Sequence, residues 1–169
     1  PANATALTSS TMLTNATTLM ASGTPGSPVP DSAGSASSAY ASATYQVERT
    51  YQVPFLAHVC MEVPNCTVNI TATSAEVYAP TQAVNWVIST VTSITGLPAS
   101  AVTVYPTLLG GGLGRKIEQD YVAQAVKLAM AVGKPVKLTW SRPQDFKNDK
   151  YRPYANMRVR LGGDASGIK

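Results

Sequence analysis

The sequence contains few charged residues. Asp, Glu, Lys and Arg make up 13% of its 169 residues, against about 25% in an average soluble domain. The apolar fraction of 44% is ordinary, and the length suits one domain with a moderate core. A surface so poor in charge predicts that other protein covers much of it.

The charges that are present are unevenly distributed. Twelve of the thirteen basic residues lie from Arg115 onward, together with five acidic ones, so this part carries +7 and the part before it −3. Such a basic half suits an anionic cofactor, an acidic partner or a nucleic acid. Nucleic acid is disfavoured because the basic residues do not form runs interleaved with aromatic residues. Most of them are interpreted as solvated.

Cysteine and histidine are scarce. Cys60 and Cys66 are too few for a disulfide framework, and their separation of six positions matches no zinc motif. The single histidine, His58, could join them as a ligand set, but a fourth ligand is missing. We interpret His58 as a core histidine beside buried thiols, and we expect no direct metal ligand in this chain.

Long apolar runs and a recognisable leader are also lacking. No stretch approaches the length of a membrane span, and no basic segment precedes an apolar run. We therefore expect no transmembrane segment in this chain, and we expect the chain to be a piece of a longer protein. Four Asn-X-Thr sequons leave open a secreted, Thr/Ser-rich structural or adhesion domain.

Composition divides the chain into two parts. Residues 1–43 are rich in Ala, Ser, Thr, Gly and Pro, with Asp31 as the only charge, and form a linker-like segment. Residues 44–169 are predicted to form one α/β (α+β) domain. It begins with "TYQVERTYQVPF", a predicted strand that ends at Pro54.

Strand and helix patterns alternate in the second part. "CTVNITATSAEVYAP" predicts two strands or one bent strand, and two later stretches repeat apolar residues at helical spacing. Each helical pattern ends in Gly-X-Pro, at residues 96–98 and 133–135. The strands "AVTVYPTLL" and "VKLTW" follow in alternation with the helices, and "NMRVRL" is a further strand. The order predicts a mixed sheet with helices packed on it.

A glycine cluster lies between a predicted strand and a helix. Four of the five residues in Gly110–Gly114 are glycine, and Arg115 and Lys116 follow. Main-chain N–H groups can approach a ligand closely where no Cβ intervenes, so an anionic group is the expected occupant. Neither the dinucleotide fingerprint nor the Walker loop fits, because both are broken at Ile117. A stand-alone phosphate- or anion-binding module without redox activity remains an alternative.

Several motifs together resemble the molybdenum hydroxylases, the xanthine dehydrogenase and aldehyde oxidase family. "TLLGGGLGRK" resembles the family's Gly-Gly-Gly-Phe-Gly motif. "FLAHVCMEVPNCTV" is similar to its Gln-Glu-His-Phe-Tyr-Leu-Glu-X-X-X-Cys segment, with His58, Glu62 and Cys66 in register. "VYAPTQ" looks like its Ser-Thr-Gln segment, and "GLPASAVTV" and "GKPVKLTWSRPQDFKNDKYRP" resemble the bacterial branch of isoquinoline 1-oxidoreductase β subunits and aldehyde dehydrogenases. The resemblance extends from about Tyr45 to Lys169.

The resemblance implies roles for individual residues. The implied cofactor-binding residues are Leu56, Ala57, Gly111, Gly112, Leu113 and Gly114. The glycine loop would present main-chain groups to the pterin and the oxo side of the molybdenum, and Leu56 and Ala57 stand where many members have a glutamine near the apical oxo ligand. Arg152 lies near the position of a substrate-orienting arginine, although an ion pair with Asp145 or Asp149 is an equal alternative.

Departures from the family pattern refine these roles. Leu113 replaces the usual Phe, and Leu56 replaces the glutamine, so a side-chain hydrogen bond is lost. Ile117 stands where purine oxidisers carry a glutamate, which argues for a less polar substrate. The family's general-base glutamate and later cofactor-binding segments have no match. We therefore expect no catalytic residue in this chain.

The complete enzyme implied by the resemblance oxidises an aldehyde or an N-heterocycle with oxygen from water. Its molybdenum–molybdopterin cytosine dinucleotide would be shared with the remainder of the subunit. Electrons would pass to a [2Fe-2S] subunit and then to a cytochrome c or flavin subunit. A bacterial location is expected, either periplasmic or cytoplasmic, with the periplasm favoured.

Overall fold

The computed structural model describes residues 8–22 and 34–168, which form two compact units. One unit is Leu56–Arg152, and the other comprises the described residues before 56 and after 152. The helices are α1 (Ser9–Ser22), α2 (Ala36–Ala41), α3 (Val84–Thr95), α4 (Asp120–Val132) and α5 (Arg142–Lys147). The strands are β1 (Tyr45–Val53), β2 (Asn65–Ile70), β3 (Ala75–Ala79), β4 (Val102–Pro106), β5 (Val136–Thr139), β6 (Ala155–Asp164) and β7 (Gly167–Ile168). None of the described helices is long and apolar enough to span a membrane.

The Leu56–Arg152 unit contains a four-stranded mixed sheet in the order β4-β3-β2-β5. β3 and β4 are parallel neighbours joined through α3, while β2 is antiparallel to both β3 and β5. The predicted mixed sheet is therefore confirmed. The second strand–helix–strand repeat differs in detail, because after α4 the chain reaches the far edge of the sheet and β5 pairs with β2.

The core of this unit lies between the sheet and the helices α3 and α4. Alternate residues of β2 and β3 are buried, and both helices bury one face, as their 3.6-residue periodicity predicts. Both helices end at a glycine in the left-handed conformation, Gly96 with φ 75° and Gly133 with φ 65°. The buried apolar residues that form this core are Cys66, Val68, Ala75, Val77, Ala79, Val87, Val91, Val102, Tyr121, Val122, Ala125, Val126, Ala129 and Trp140.

The second unit is built around an antiparallel pair. β1 pairs with β6 from Tyr45 opposite Gly163 to Val53 opposite Ala155, and β7 extends β6. The strands predicted from "TYQVERTYQVPF" and "NMRVRL" are thus confirmed, and they form a sheet of their own. Within the predicted linker-like segment 1–43, α1 and α2 are helical and contact β6. Residues 1–7 and 23–33 of that segment lie outside the described residues.

Candidate functional site

The glycine loop adopts a defined left-handed backbone. φ is 95° at Gly111, 51° at Leu113 and 93° at Gly114. Such angles are uncommon for a residue with a Cβ, so Leu113 is held in a conformation that the surrounding contacts must stabilise. Gly112 is buried, whereas the Leu113 side chain is 73% exposed. The loop is therefore an ordered feature and not a simple flexible connection.

Two side chains from other segments hold the ends of this loop. The Glu62 carboxylate accepts a hydrogen bond from the Gly110 N–H at 3.0 Å, and the Glu62 N–H donates to the Gly110 carbonyl at 2.9 Å. At the other end, Oε1 of Gln82 accepts from the Gly114 N–H at 3.0 Å. These contacts explain how the loop keeps its shape.

Glu62 is itself fixed by a buried cation. Nζ of Lys116 lies 2.5 Å from Oε2 of Glu62, and the Lys116 side chain is fully buried. Partial burial opposes ionisation of Glu62, but hydrogen bonds from Lys116, the Gly110 main chain and Asn65 outweigh it and lower its pKa. Glu62 is therefore an ionised anchor of the loop, and its oxygens are occupied.

Arg115 and Lys116 do not present their charges to a ligand as the sequence suggested. Arg115 is 1% exposed and Lys116 is fully buried. Arg115 makes a bidentate contact with Asp120 at 3.0 and 2.8 Å, and its guanidinium lies 5.4 Å from the Trp140 ring centroid. Both cations are neutralised inside the protein, so any attraction for an acceptor at the loop comes from main-chain dipoles.

The four glycines serve different purposes. A Cβ on Gly110 would lie 2.5 Å from Cβ of Glu62, and one on Gly112 would lie 2.7 Å from Cδ of Gln82. These two glycines are therefore required by packing within the protein. Gly111 and Gly114 have more room, since the nearest atoms would be 3.6 and 3.9 Å away. Their glycines are explained by the positive φ.

Three consecutive main-chain N–H groups in the loop have no protein acceptor among the described residues. Within residues 8–22 and 34–168, no hydrogen bond is donated by the N–H groups of Gly111, Gly112 or Leu113. Buried main-chain N–H groups rarely lack an acceptor in a folded protein, and Gly112 is buried. Successive donors in alternating left-handed conformations form a concavity that suits an anion or a carbonyl oxygen.

A cavity of about 330 Å³ adjoins the loop. It is lined by Leu56, Ala57, His58, Leu113 and Arg152. Leu56 and Arg152 are joined by two main-chain hydrogen bonds of 2.9 and 3.3 Å, which bring distant parts of the sequence together. The structure thus assembles four of the predicted site residues around one space, whereas Gly111, Gly112 and Gly114 belong to the adjoining loop.

Sequence reasoning misplaced the fifth residue of the cavity, His58, in the core. The side chain of His58 is 21% exposed and its Nδ1 lies 2.8 Å from Oδ1 of Asp149. The main-chain N–H of His58 donates to Oδ2 of the same carboxylate at 2.6 Å. Asp149 lies 91 positions away, so no spacing rule could have found the pair. The only signal was the match of His58 to a family histidine.

Asp149 is an ionised carboxylate in a buried position. Its side chain is 2% exposed, and Nε of Arg115 lies 3.3 Å from Oδ1. Burial opposes its ionisation, but hydrogen bonds from the main chain and ring of His58 outweigh that effect and lower the pKa of Asp149. Asp145, the other acidic residue suggested for Arg152, pairs with Arg142 at 2.6 Å.

The two cysteines are buried free thiols. Cys60 donates to the Gly112 carbonyl at 3.2 Å, and Cys66 belongs to the core. Burial raises the pKa of both thiols, that of Cys66 to about 12. Among the described residues there is no group of three or more His, Cys, Asp and Glu side chains that could hold a metal ion.

Comparison with known proteins identifies the family. Residues 24–168 match the family described as the molybdopterin cofactor-binding domain. The chain therefore belongs to the molybdopterin cofactor-binding domain family.

Curated relatives carry related descriptions. The chain is 32% identical over 129 residues to the membrane-bound aldehyde dehydrogenase [pyrroloquinoline-quinone] of Gluconacetobacter polyoxogenes, covering 76% of this chain and 17% of that protein. It is 28% identical over 132 residues to the aldehyde oxidoreductase molybdenum-binding subunit PaoC of Escherichia coli (strain K12), covering 76% of this chain and 18% of the relative. The chain thus spans less than a fifth of either relative.

Solved structures share the fold. The CO dehydrogenase from Oligotropha carboxidovorans matches with a TM-score of 0.67 and 22% identity, over 78% of this chain and 17% of its own. The aldehyde oxidoreductase from Desulfovibrio gigas matches with a TM-score of 0.64 and 21% identity, over 76% of this chain and 14% of that protein's chain. The mixed α/β architecture is thus that of the molybdopterin cofactor-binding domain.

Proposed function

We propose that this chain is the part of a molybdenum hydroxylase subunit that presents one glycine loop to the cofactor and one cavity to the substrate. The observation that carries the proposal is the loop at Gly111–Leu113, whose three N–H groups have no acceptor among the described residues. Leu113 belongs both to this loop and to the cavity lining. Cofactor and substrate would therefore meet at Leu113.

The residues present fit a pterin cofactor. A pterin ring and its phosphate carry oxygen and nitrogen acceptors, which match main-chain donors at Gly111, Gly112 and Leu113. The Gly114 N–H already donates to Gln82, so it is not a donor for the cofactor. Gly114 would contribute only the space left by its missing Cβ. When bound, the molybdenum centre would accept the two electrons of the oxidation. The cytosine dinucleotide form is part of the same proposal.

The complete enzyme is proposed to oxidise an aldehyde or an N-heterocycle with oxygen from water. Two curated relatives are named for aldehydes and another is an isoquinoline 1-oxidoreductase β subunit from Brevundimonas diminuta. Leu56, Ala57 and Leu113 give the cavity apolar walls, which suit a substrate of low polarity. Arg152 is proposed to orient the substrate. The general base would come from the rest of the subunit, since Glu62 is committed to the loop.

Partners follow from the same reasoning. The names of relatives as a molybdenum-binding subunit and a β subunit support an assembly of several subunits. We propose a [2Fe-2S] subunit as the electron acceptor, followed by a cytochrome c or flavin subunit. We propose a bacterial location, with the periplasm favoured over the cytoplasm. The stand-alone anion-binding module is not favoured by the family match.

A pair of alanine variants tests the loop assignment. Gly111→Ala and Gly133→Ala both place a Cβ at a positive φ, 95° and 65°, with no atom closer than 3.6 Å, so each strains the backbone by roughly 1–2 kcal/mol. Only Gly111 lies in the proposed cofactor loop. We expect molybdenum per assembled subunit, measured by mass spectrometry of the metal, to fall severalfold in Gly111→Ala and to stay unchanged in Gly133→Ala.

The same measurements can refute the proposal. A wild-type assembly that co-purifies without molybdenum, or a Gly111→Ala assembly with full occupancy, would contradict it. Arg152→Ala should lower kcat/KM for benzaldehyde at unchanged molybdenum content. Unchanged kinetics would make Arg152 a structural residue.

A further inference from the structure

We propose that His58 is a proton-exchanging residue of the cavity lined by Leu56, Ala57, Leu113 and Arg152, with Nε2 as the atom offered to the substrate. This inference rests on the proposed function, because it takes the cavity to be the substrate site of that enzyme. It adds a residue for which neither the relatives nor the sequence motifs supply a role.

Asp149 fixes the orientation and the tautomer of His58. One carboxylate oxygen faces Nδ1 at 2.8 Å and the other accepts the His58 main-chain N–H at 2.6 Å, so the ring is held at one edge. The lowered pKa of Asp149 keeps its carboxylate ionised, and an ionised carboxylate only accepts hydrogen bonds. Nδ1 therefore carries a proton, and Nε2 is the nitrogen that can gain or lose one.

Nε2 lies close to the glycine loop. A Cβ on Gly114 would have Nε2 of His58, at 3.9 Å, as its only neighbour within 4 Å. His58 and Leu113 line the same cavity, so the imidazole and the loop border one compartment. A small molecule in that cavity would lie beside both His58 and Leu113.

Asp149 has a second charged partner besides His58. Asp149 is also 3.3 Å from Nε of Arg115, which is 1% exposed and further paired with Asp120. Asp149 thus keeps a permanent cationic partner whether His58 is neutral or charged. Arg152 lines the cavity on the side of Leu56, and the buried Cys60 thiol follows two residues after His58.

The cavity chemistry suits a small apolar compound with one polar group, such as an aromatic aldehyde. Converting an aldehyde and water into a carboxylic acid releases two protons and two electrons, and the electrons leave through the redox cofactor of the proposed function. The acid loses a further proton when it ionises. Nε2 is positioned to take up a proton as the carboxylate product forms, and the resulting imidazolium would pair with that product.

Two substitutions separate the two edges of the ring. In His58→Asn the side-chain amide can still donate a hydrogen bond to Asp149, but no group occupies the position of Nε2. In His58→Gln the longer side chain can place its amide at the position of Nε2. Benzoate binding to the assembled, molybdenum-containing enzyme would be measured by calorimetry in phosphate and Tris buffers. The difference between the buffers reports the protons taken up on binding.

We expect wild-type enzyme to take up a measurable fraction of a proton on binding benzoate at pH 7.5. His58→Asn should abolish the uptake and weaken binding at least tenfold, while His58→Gln should abolish the uptake but stay within a fewfold of wild-type affinity. Molybdenum content should be unchanged in both. The proposal would be overturned if His58→Asn took up as many protons as the wild-type enzyme. It would also be overturned if His58→Gln lost as much affinity for benzoate as His58→Asn, or more. Absence of molybdenum from the wild-type assembly would instead refute the proposed function.

Discussion

The two sheets of this protein differ in how their faces are covered. The four-stranded sheet buries alternate residues beneath α3 and α4, and its core is closed within the Leu56–Arg152 unit. In the β1–β6 pair, eight of the nine residues of β1 are exposed. One face carries the large apolar side chains Tyr45, Val47, Tyr51, Met157, Val159 and Leu161, each more than 40% exposed. Packing stability is therefore concentrated in the first unit.

Ion pairs show the same contrast. Arg115 and Asp149 are 1% and 2% exposed and belong to a network that includes His58 and Asp120. Arg160 and Glu48, in the other unit, are 44% and 41% exposed. A buried charge that loses its partner cannot be rescued by water, whereas an exposed one can. The same residue types should therefore differ greatly in their contribution to stability.

The largest effect is expected from a pair of tyrosine truncations. Tyr121 is fully buried and donates to the Pro80 carbonyl at 2.9 Å, whereas Tyr51 is 55% exposed on β1. Tyr121→Ala should lower the free energy of unfolding by about 3–5 kcal/mol because it leaves a large cavity, and Tyr51→Ala by less than about 1 kcal/mol. Urea denaturation of the chain measures both. Similar losses would contradict the difference in packing between the two sheets.

A pair of arginine substitutions comes next. Arg115→Met removes the cation between Asp120 and Asp149 and should cost about 3–5 kcal/mol, because a buried carboxylate loses a partner. Arg160→Met removes only an exposed pair and should cost about 0–1 kcal/mol. The midpoints of urea denaturation at pH 7 would test this difference. An Arg115→Met variant as stable as Arg160→Met would contradict the network.

Acid should weaken the buried network. The pKa of Asp149 in the folded protein is below its unfolded value of about 3.9. Its stabilising contribution is therefore present above that pH and is lost as the pH falls through the lower folded pKa. Denaturation between pH 6 and pH 3 should show stability falling, with a shallower slope in Asp149→Asn. Part of the slope should remain, because the pKa of Glu62 is also lowered. Identical slopes would contradict the role of Asp149.

The smallest effect concerns the thiols. Cys60 and Cys66 are 3% and 0% exposed, and burial raises the pKa of both, so little thiolate forms at pH 8. Iodoacetamide should label neither cysteine in the folded chain within the time in which it labels both in urea. Mass spectrometry counts the adducts. Rapid labelling of Cys60 alone would show that the glycine loop opens in solution, since Cys60 donates to Gly112.

Local patterns predicted much of the fold. Helical spacing and the terminal glycines predicted α3 and α4 and the residues at which they end. Runs of β-branched and aromatic residues predicted β1 and β6. These signals act within one element, through side-chain periodicity and the left-handed backbone that glycine permits. The helices α1 and α2 were not predicted, because their composition of small polar residues is also that of a linker.

By itself, the amino-acid sequence determined the alternation of strands with α3 and α4, the ends of these two helices, the glycine loop and the family. Tertiary structure alone decided that Arg115 and Lys116 face inward, that Glu62 and Gln82 hold the loop, and that Asp149 turns His58 toward the cavity. The reason is physical. Periodicity and turn chemistry depend on a few neighbouring residues, whereas the pairing of charges depends on which distant segments the fold brings within hydrogen-bond distance.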